Sequence, residues 1–381
     1  MIGDSPFSAL VIGGSVGGLA AAIELRDRLG ADVSVFERSA HEMQARGAGV
    51  VMQPEVDALL NRIGVTTRSV CVELRERVTL SDDGHTDARS APQLMTAWDT
   101  LYRVLRNHLG DRCYRPSSEF TELEQNTKTI TASFADGHMA SADLLVGADG
   151  VNSAVRESLS GSASATYSGY VAWRGLESEA GLPGHLVEDL RDRFTSYMKP
   201  GMQMLCYLVP GADGSIEHGK RRVNWVWYVN TPADQLARLM TGGSGRHYRS
   251  FLPPGDVAAP IERALQDFAR QSLPPLFRDL VAASTLFMQP VQDVAHHQRI
   301  HGRALLIGDA AGTVRPHTAS GTSKAFGDAA MLANALREWT VSVPLPANLL
   351  AHWAETRNAD LNATALRGRR LAAASGLGPV A

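Results

Sequence analysis

The sequence contains little cysteine and no excess of positive charge. Its three cysteines in 381 residues lie far apart and form no C-x-x-C pair. This spacing argues against a disulfide framework, a redox dithiol and a zinc site, so we predict no bound metal. The formal net charge is -3, and the positive residues are scattered along the chain. Nucleic acid is therefore not an expected partner.

Long apolar runs are also missing. No run of about 18 apolar residues occurs. The opening segment MIGDSPFSALVIGG has neither the charged start nor the small-residue cleavage site of a signal peptide. We therefore expect no membrane partner and a cytoplasmic location. The sequence is 44% hydrophobic, which is enough for a sizeable core in one large domain or two interlocked domains.

A glycine-rich turn near the start of the chain is the first indication of a ligand site. The apolar run at 8–11 enters the segment IGGSVGGLAAAIELRDRLG, whose second half has helical composition, and the strand-like DVSVFER follows. The order of strand, glycine turn, helix and second strand is typical of a βαβ unit that binds a dinucleotide. The alternative is a glycine turn without a ligand, as in any α/β protein.

The turn has small residues where a dinucleotide fold needs them. Gly13 permits the tight turn, Ser15 replaces the usual second glycine near the pyrophosphate, and Gly18 lets the helix pack on the strand. The start of the helix favours a pyrophosphate. Glu37 ends the second strand, where a carboxylate accepts hydrogen bonds from ribose hydroxyls and disfavours a 2′-phosphate. The cofactor-binding candidates of this region are Gly13, Gly14, Ser15, Val16, Gly18, Glu37, Arg38 and Gly49.

The middle of the chain has a different pattern. Residues 167–174 and 221–230 are rich in aromatic and β-branched side chains and are divided by Pro and Gly, which indicates a separate antiparallel sheet. After a helical segment between Pro253 and Pro275, the run ALLIGDAAG returns to a buried strand that ends at an acid. From Lys324 onward, the abundance of Ala, Leu, Arg and Glu favours helices.

Two further segments indicate that the bound dinucleotide is FAD rather than NAD. Residues 143–156 read DLLVGADGVNSAVR, and residues 303–321 read RALLIGDAAGTVRPHTASG. Together with the glycine turn, they resemble the three fingerprints that the group A flavoprotein monooxygenases carry in the same order. This is the family of para-hydroxybenzoate and salicylate hydroxylases. Taken singly, Asp149 and Asp309 could merely cap turns.

The resemblance implies FAD as the cofactor and NADH or NADPH as the co-substrate. Asp309 would contact the FAD ribitol, and Asp149 would contact both FAD and the pyridine nucleotide. Pro316 and Gly321 would shape the pocket of the flavin ring. A helix that begins near Thr322 would direct N–H groups at the charge that develops on flavin N1 and the C2 carbonyl. Its contact residues would be Gly321, Thr322 and Ser323.

The expected fold is α/β: a Rossmann-type FAD-binding domain interlaced with a smaller mixed or antiparallel β-sheet substrate domain, followed by C-terminal helices. We assign residues 1–70, 98–165 and 286–345 to the FAD-binding domain. The substrate domain then has residues 71–97 and 166–285, and residues 346–381 form the C-terminal helical segment.

The activity implied by the resemblance is hydroxylation of an electron-rich, hydroxylated aromatic or pyridine ring with NAD(P)H and O2, through a flavin C4a-hydroperoxide. The phrases VMQPE, GYVAWRG, NWVWYVN and RPH narrow the resemblance to hydroxypyridine hydroxylases. Trp98 and Gly312 depart from it, since many relatives have Arg and His there. The alternatives are an FAD-dependent reductase or dehydrogenase without oxygen transfer and a non-catalytic flavin-binding sensor. A homodimer is compatible with the resemblance, and the sequence leaves the oligomeric state open.

His317, beside Pro316, is our candidate for a base that deprotonates a ring hydroxyl. The alternative is a histidine that only packs or forms hydrogen bonds near FAD. Alternation along a strand places Trp225 and Trp227 on one face and Tyr228 on the other, so at most one face can meet a substrate. The candidates for substrate contact are Arg174, Trp225, Trp227 and Tyr228. The aromatic residues could instead be sheet core, and Arg174 could form a surface ion pair instead of orienting an anionic ring oxygen.

Overall fold

The computed structural model describes residues 6–40, 49–82, 85–161, 165–295 and 297–379. Its strands are β1 (Ser8–Ile12), β2 (Asp32–Phe36), β3 (Gly49–Val51), β4 (Val72–Leu80), β5 (Thr86–Ala97), β6 (Tyr114–Arg115), β7 (Phe120–Gln125), β8 (Ile130–Phe134), β9 (Met139–Ala142), β10 (Leu144–Gly147), β11 (Thr166–Ser178), β12 (Arg193–Lys199), β13 (Met202–Val209), β14 (Arg222–Asn230), β15 (Phe287–Asp293), β16 (Ile300–His301) and β17 (Ala304–Leu306).

The helices are α1 (Val16–Leu29), α2 (Pro54–Arg62), α3 (Trp98–Leu109), α4 (Ala154–Ser160), α5 (Gly184–Leu190), α6 (Ala233–Leu239), α7 (Ala259–Ser272), α8 (Pro275–Ala282), α9 (Gly308–Ala311), α10 (Gly321–Ala335) and α11 (Ala347–Ala374). Within the described ranges, none of them is long and apolar enough to cross a membrane.

The first sheet has a nucleotide-binding topology. Its strand order in the described chain is β16-β17-β10-β1-β2-β6, and β1 pairs in parallel with both β10 and β2. The central strands are short runs of Val, Leu and Ile that are buried on both faces, as in other parallel sheets. Gly13 follows β1 with φ of +106°, a conformation that glycine adopts without steric cost, and α1 begins three residues later. The predicted βαβ unit is confirmed.

The second sheet contains most of the strands predicted in the middle of the chain. Its order in the described residues is β15-β11-β14-β13-β12-β4-β5-β3, and the pairs are antiparallel except for β12 with β4. One face carries Trp173, Trp225 and Trp227 into a core formed with α5, α7 and α8. The other face carries Tyr170 and Tyr228. Because α5, α7 and α8 cover the first face, this second face is the one that can meet a ligand.

The C-terminal helices are tied to the first sheet by a buried carboxylate. Asp328 on α10 is fully buried and bonds Arg299 at 3.0 Å and Arg357 of α11 at 2.7 Å. The same carboxylate accepts a hydrogen bond from the backbone N–H of Gly308 at 2.9 Å. The network therefore joins α10 and α11 to the loop after β17. A small sheet of β7, β8 and β9, which the sequence analysis did not predict, completes the described structure.

Candidate cofactor and substrate site

A cleft of about 480 Å³ runs along the carboxyl ends of the parallel strands. Ligands bind at this edge in open α/β sheets, and the volume lies in the range of small-molecule sites. The start of α1 and the start of α10 both contribute to its lining. The predicted residues that line it are Gly13, Ser15, Val16, Glu37, Arg38, Asp149, Asp309, Gly321 and Thr322.

The glycine turn at the head of α1 has no room for side chains. A Cβ on Gly18 would overlap the carbonyl oxygen of Gly13, and a Cβ on Gly14 would overlap the ring of Tyr114. Ser15 is the N-cap residue of α1, in extended conformation. The turn thus brings backbone, rather than side chains, to the edge of the cleft.

Two helix N-termini face the cleft without a capping side chain. Ser15 precedes α1 and Ser320 precedes α10, and neither forms a side-chain cap bond. The first turn of each helix also lacks an acidic residue. The first N–H groups of a helix have no partner within it, and the positive end of the helix dipole lies there. Both ends therefore favour a negatively charged ligand.

The carboxylate of Glu37 is held at the end of β2. It is 6% exposed, accepts a hydrogen bond from Gly14 N at 2.8 Å and accepts a second one from Ser39 N at 2.9 Å. Each oxygen keeps a further acceptor site, and the residue lines the cleft. Its neighbour Arg38 is exposed at the rim.

Asp309 lines the cleft and is paired with a buried lysine. The Nζ of Lys324 is 3.1 Å from Asp309 Oδ1, and it also donates to the carbonyl of Gly312. The side chain of Asp309 is 47% exposed, whereas that of Lys324 is 4% exposed. Lys324 therefore fixes the orientation of a carboxylate that remains open to a ligand.

Asp149 caps a helix. Its Oδ1 accepts a hydrogen bond from the hydroxyl of Ser153 at 2.5 Å, and its Oδ2 accepts one from Val155 N at 3.1 Å. Burial raises the pKa of this carboxyl. The carboxylate is thus engaged at the start of α4, and the residue also borders the cleft.

These features fit FAD. The uncapped start of α1 suits a pyrophosphate, and Glu37 suits the adenosine ribose. Asp309 offers an acceptor to the linking chain, and the uncapped start of α10 suits the ring end, where negative charge develops on reduction. The fold and the cleft together define a dinucleotide-binding flavoprotein.

His317 lies against the second sheet and has both ring nitrogens engaged. Its Nε2 is 2.9 Å from the hydroxyl of Tyr170, and its Nδ1 is 2.9 Å from Gln203 Oε1. The ring centroid lies 4.7 Å from that of Tyr228. Burial, with a smaller effect from Arg315, lowers the pKa of His317 to about 4. The imidazole is therefore neutral at neutral pH, with Nδ1–H donating to Gln203 and Nε2 accepting from Tyr170.

The remaining candidates separate into two groups by position. Arg174 lies on the same sheet face as Tyr228, since it pairs with Val226, two residues along β14. Trp225 and Trp227 lie on the opposite face, where Trp225 donates to Ser284 Oγ at 2.8 Å and Trp227 stacks on Phe268 with ring centroids 5.2 Å apart. Their burial between sheet and helices places them in the core, away from the cleft.

Five cofactor candidates do not line the cleft directly: Gly14 and Gly18, which lie in the glycine turn, and Gly49, Ser323 and Pro316. Gly49 belongs to β3 of the second sheet, and its N–H donates to Asn224 Oδ1 at 3.1 Å. The hydroxyl of Ser323 donates to Gln53 Oε1 at 2.6 Å. Pro316 opens the 3-10 turn Pro316–Thr318 that carries His317.

Several residues of this site were not predicted from the sequence. Tyr170 and Asn224 could have been predicted. Alternation along β11 places Tyr170 on the same face as Arg174, and alternation along β14 places Asn224 on the same face as Tyr228. Gln203 and Lys324 gave no such indication, because their roles depend on partners far away in the chain. The residues that we add to the site are Gln53, Tyr170, Gln203, Asn224 and Lys324.

Comparisons with known proteins agree with FAD as the cofactor. A family model described as "FAD binding domain" matches residues 7–225, and one described as "FAD binding domain-like" matches residues 167–293. A 2,6-dihydroxypyridine 3-monooxygenase of Paenarthrobacter nicotinovorans is 36% identical over 330 residues, which cover 85% of this chain and 81% of the relative. A 6-hydroxynicotinate 3-monooxygenase of Bordetella bronchiseptica is 28% identical over 343 residues, 84% of this chain and 80% of the relative.

The fold agrees with that of a solved structure. It is that of 2,6-dihydroxypyridine-3-hydroxylase from Arthrobacter nicotinovorans, with a TM-score of 0.90 and 31% identity over 99% of this chain and 94% of the other. The chain therefore belongs to the FAD-binding-domain family. It is an FAD-dependent monooxygenase that hydroxylates aromatic rings, and the reductase and sensor alternatives are not favoured.

Proposed function

We propose that this enzyme hydroxylates a hydroxypyridine or a closely related hydroxylated nitrogen heterocycle, with NADH or NADPH as reductant and O2 as the oxygen donor. The observation that carries this proposal is the donor-rich sheet face beside the cleft, where Arg174, Tyr228 and neutral His317 lie near one another. Such a face suits a small ring with hydroxyl or oxo groups. The relative that acts on 2,6-dihydroxypyridine supports the choice of ring.

Bound FAD supplies electron transfer from NAD(P)H and activation of O2. In our proposal, Gly13, Ser15 and the start of α1 hold the pyrophosphate, and Glu37 holds the ribose. Asp309, oriented by Lys324, accepts hydrogen bonds from the linking chain. The remaining contacts, at the ring end of the cofactor, come from Pro316, Gly321, Thr322 and Ser323.

The sheet face orients the substrate next to this ring end. Gln289 of β15 lines the cleft and lies directly opposite Ala172, which lies opposite Tyr228. Tyr228 is therefore in the row of side chains that begins at the cleft. Its buried ring offers an apolar surface, and its hydroxyl offers a donor. A buried sheet face of this kind also excludes water, which protects reactive intermediates.

Two roles compete for His317. A base works best with a pKa near the operating pH, and a pKa of about 4 makes neutral imidazole a weak acceptor of the substrate proton. Its Nε2 lone pair already accepts the Tyr170 hydroxyl. We therefore favour a positioning role, in which His317 orients Tyr170 and packs against Tyr228. The assignment of His317 as the base stays a prediction.

The domain boundaries and a homodimer also stay predictions. Residues 49–51, within the span given to the FAD-binding domain, form a strand of the second sheet. The span given to the FAD-binding domain therefore contributes a strand to the second sheet, which the predicted boundaries do not show. Light scattering coupled to size-exclusion chromatography measures the molar mass of the assembly and tests the homodimer.

The experiment for the proposed function is a substrate screen. Purified protein is loaded with FAD and given NADH or NADPH with a panel of hydroxypyridines and hydroxybenzoates under ¹⁸O₂. We expect a hydroxypyridine to stimulate reductant consumption and to gain one labelled oxygen per reductant consumed. Consumption without label in any product would indicate a reductase, and no consumption with any compound would indicate a sensor. Labelling confined to hydroxybenzoates would overturn the choice of ring.

A further inference from the structure

The segment that follows α11 lies across one end of the second sheet. We call this segment, residues 375–379, the strap. Its Leu377 is 3% exposed and belongs to the apolar cluster on the face that α5, α7 and α8 leave open. The members of this cluster on the sheet are Tyr170, Ala172, Val226, Tyr228 and Val291. The strap therefore covers part of the face on which we place the substrate.

One side chain of the sheet binds the strap on both sides of Leu377. The Nδ2 of Asn230, at the end of β14, donates to the carbonyl of Gly376 at 2.8 Å, and its Oδ1 accepts the N–H of Gly378 at 3.0 Å. The N–H of Gly201 also donates to the carbonyl of residue 375 at 2.9 Å. Backbone outside regular elements is usually mobile unless it is tied down in this way. The three bonds therefore fix the position of Leu377.

Two glycines allow the strap to approach the backbone of the sheet. Gly169 of β11 has φ of +87°, and a Cβ there would lie 2.4 Å from the backbone of Pro379. Gly376 of the strap has φ of +65°, and a Cβ there would lie 2.8 Å from the backbone nitrogen of Gly201. Glycine is needed at both positions, for the conformation and for the space. The sequence thus accommodates the close contact on both sides.

The residues in contact with the strap also hold His317. The hydroxyl of Tyr170 is 2.9 Å from His317 Nε2, and the ring centroid of Tyr228 is 4.7 Å from that of His317. α11 packs on the turn that carries His317, since a Cβ on Gly368 would lie 3.2 Å from the Cβ of Arg315. The strap and the end of α11 therefore enclose the two tyrosines and the imidazole from one side.

The strap lies one step along the sheet from the row of side chains that begins at the cleft. Gln289 lines the cleft and shares this row with Ala172 and Tyr228. Asn230, which binds the strap, lies directly opposite Tyr170, two residues further along both strands. Two residues of a strand span about 7 Å, roughly the width of an aromatic ring. A substrate ring in the row therefore has the cofactor cleft at one edge and the strap beyond a neighbouring edge.

We propose that the strap is the end wall of the substrate site and that Leu377 limits the size of the ring substituents that the enzyme accepts. This inference rests on the proposed function and deepens it. It narrows the substrate class to hydroxypyridines without a bulky alkyl group on the edge that faces the strap. Leu377 acts by filling the space behind Tyr170 and Tyr228, so that these rings cannot move back to admit a larger ligand. It determines specificity and takes no part in the chemistry.

A series of ligands of increasing size tests the wall. The FAD-loaded enzyme, without NAD(P)H, is titrated with 2,6-dihydroxypyridine and with its methyl, ethyl and propyl derivatives, and the change in flavin absorbance gives each dissociation constant. One series carries the alkyl group at carbon 4 and the other at carbon 3, so that both edges of the ring are covered. Adding atoms to a filled site lowers affinity roughly 5- to 150-fold. In at least one series we expect the wild type to bind the propyl compound at least 30-fold more weakly than the parent compound.

Variants of Leu377 assign this size limit to the strap. In Leu377→Ala the ratio of the two dissociation constants should fall at least tenfold, because the deleted side chain leaves a cavity that a propyl group can fill. Leu377→Met conserves the volume and should keep the wild-type ratio. Leu371→Ala is the matched control, since Leu371 lies in the last turn of α11 but is 39% exposed, and it should also keep the ratio.

Asn230→Ala tests the attachment of the strap from the sheet. The variant loses both side-chain bonds to the strap, so we expect hydrogen exchange at the N–H of Gly378 to become at least tenfold faster. The size limit should relax in the same direction as in Leu377→Ala. Faster exchange with an unchanged size limit would show that the strap does not bound the site.

Failure of the wall differs from failure of the proposed function. If the wild type oxygenates no hydroxypyridine, the proposed function fails, and the same alkyl series on the ring that is oxygenated tests the wall. If the wild type oxygenates 2,6-dihydroxypyridine but binds the propyl compounds of both series as tightly as the parent, the wall alone is overturned. Equal losses of affinity for all compounds in Leu377→Ala also overturn it, since Leu377 would then only stabilise the fold.

Discussion

The carboxylate of Glu37 accepts a hydrogen bond from the backbone N–H of Gly14 at 2.8 Å, which joins the end of β2 to the glycine turn before α1. The bond holds the carboxylate at one end of the cleft with acceptor capacity left for a ribose. The same residue therefore shapes the turn and faces the cofactor.

Replacing Glu37 by Gln tests its contact with FAD. We expect FAD affinity to fall by about 1 to 1.5 kcal/mol, because a charge-assisted hydrogen bond becomes a weaker neutral one. Fluorescence titration of the apoprotein measures the loss. Asp32→Asn is the matched control, since Asp32 is an exposed carboxylate at the other end of the same strand. Equal affinity in Glu37→Gln and Asp32→Asn would remove Glu37 from the ribose site.

Lys324 should act on the cofactor through Asp309. Lys324→Met keeps the aliphatic length but removes the 3.1 Å contact with Asp309 Oδ1 and the bond to the Gly312 carbonyl. We expect FAD affinity to fall by about 1 to 2 kcal/mol, less than the full worth of a hydrogen bond to a charged group, because Lys324 acts on FAD only by orienting Asp309. In the double variant with Asp309→Asn, the losses should be smaller than the sum, as expected for residues in contact. Additive losses in FAD titrations would show that the two residues act independently.

Arg174 should lower the free energy of unfolding of the ligand-free protein, because its buried Nε has no hydrogen-bond partner among the described residues. Replacement of a buried charged group by an apolar residue of similar volume is often stabilising, so we expect Arg174→Met to raise the free energy of unfolding by roughly 1 to 3 kcal/mol. Arg222→Met is the matched control, since Arg222 is as buried but paired with Asp99, and it should lower stability by about 3 to 5 kcal/mol. Denaturant melts of substrate-free enzyme measure both. A stability loss of similar size in the two variants would contradict the view that Arg174 lacks a partner.

The sequence was sufficient for the parts of the site that follow directly from the backbone pattern. Gly13, Glu37 and Asp309 each come after a buried strand, and the carboxyl ends of parallel strands meet at one edge, so their common cleft could be predicted. Alternation also separated Trp225 from Tyr228 correctly, although it could not say which face meets the ligand. The choice depends on the helices that cover one face, which are distant in the chain.

Contacts between distant segments could not be predicted. Tyr170 and His317 are 147 positions apart, and no local pattern indicates that their side chains meet. The pairing of Lys324 with Asp309 likewise depends on how α10 packs against the loop after β17. At Asp149 the motif that indicates a cofactor contact also forms the start of α4, through bonds to Ser153 and Val155. The sequence alone could not show that the carboxylate is engaged in this way.

His317 should make the stability of the protein depend on pH. Burial lowers its pKa from 6.5 to about 4, so between these values the unfolded chain binds a proton that the folded protein does not. Its contribution is present above about pH 6.5 and is lost as the pH falls toward 4, by up to about 3 kcal/mol. In His317→Gln this loss should be absent. Denaturant melts of both proteins from pH 7 to pH 4.5 compare the slopes, and parallel slopes would contradict the lowered pKa.

The same variant separates the two roles of His317 in catalysis. If His317 is the base, His317→Gln should lower the hydroxylation rate by roughly a hundredfold or more, and hydrogen peroxide should replace the hydroxylated product. In the positioning role that we favour, glutamine can still accept the Tyr170 hydroxyl. We therefore expect a loss of less than about tenfold, product still coupled to NAD(P)H consumption, and a pH-rate profile that does not move. Stopped-flow rates and peroxide assays from pH 6 to pH 9 measure these quantities. A hundredfold loss with peroxide release would instead establish His317 as the base.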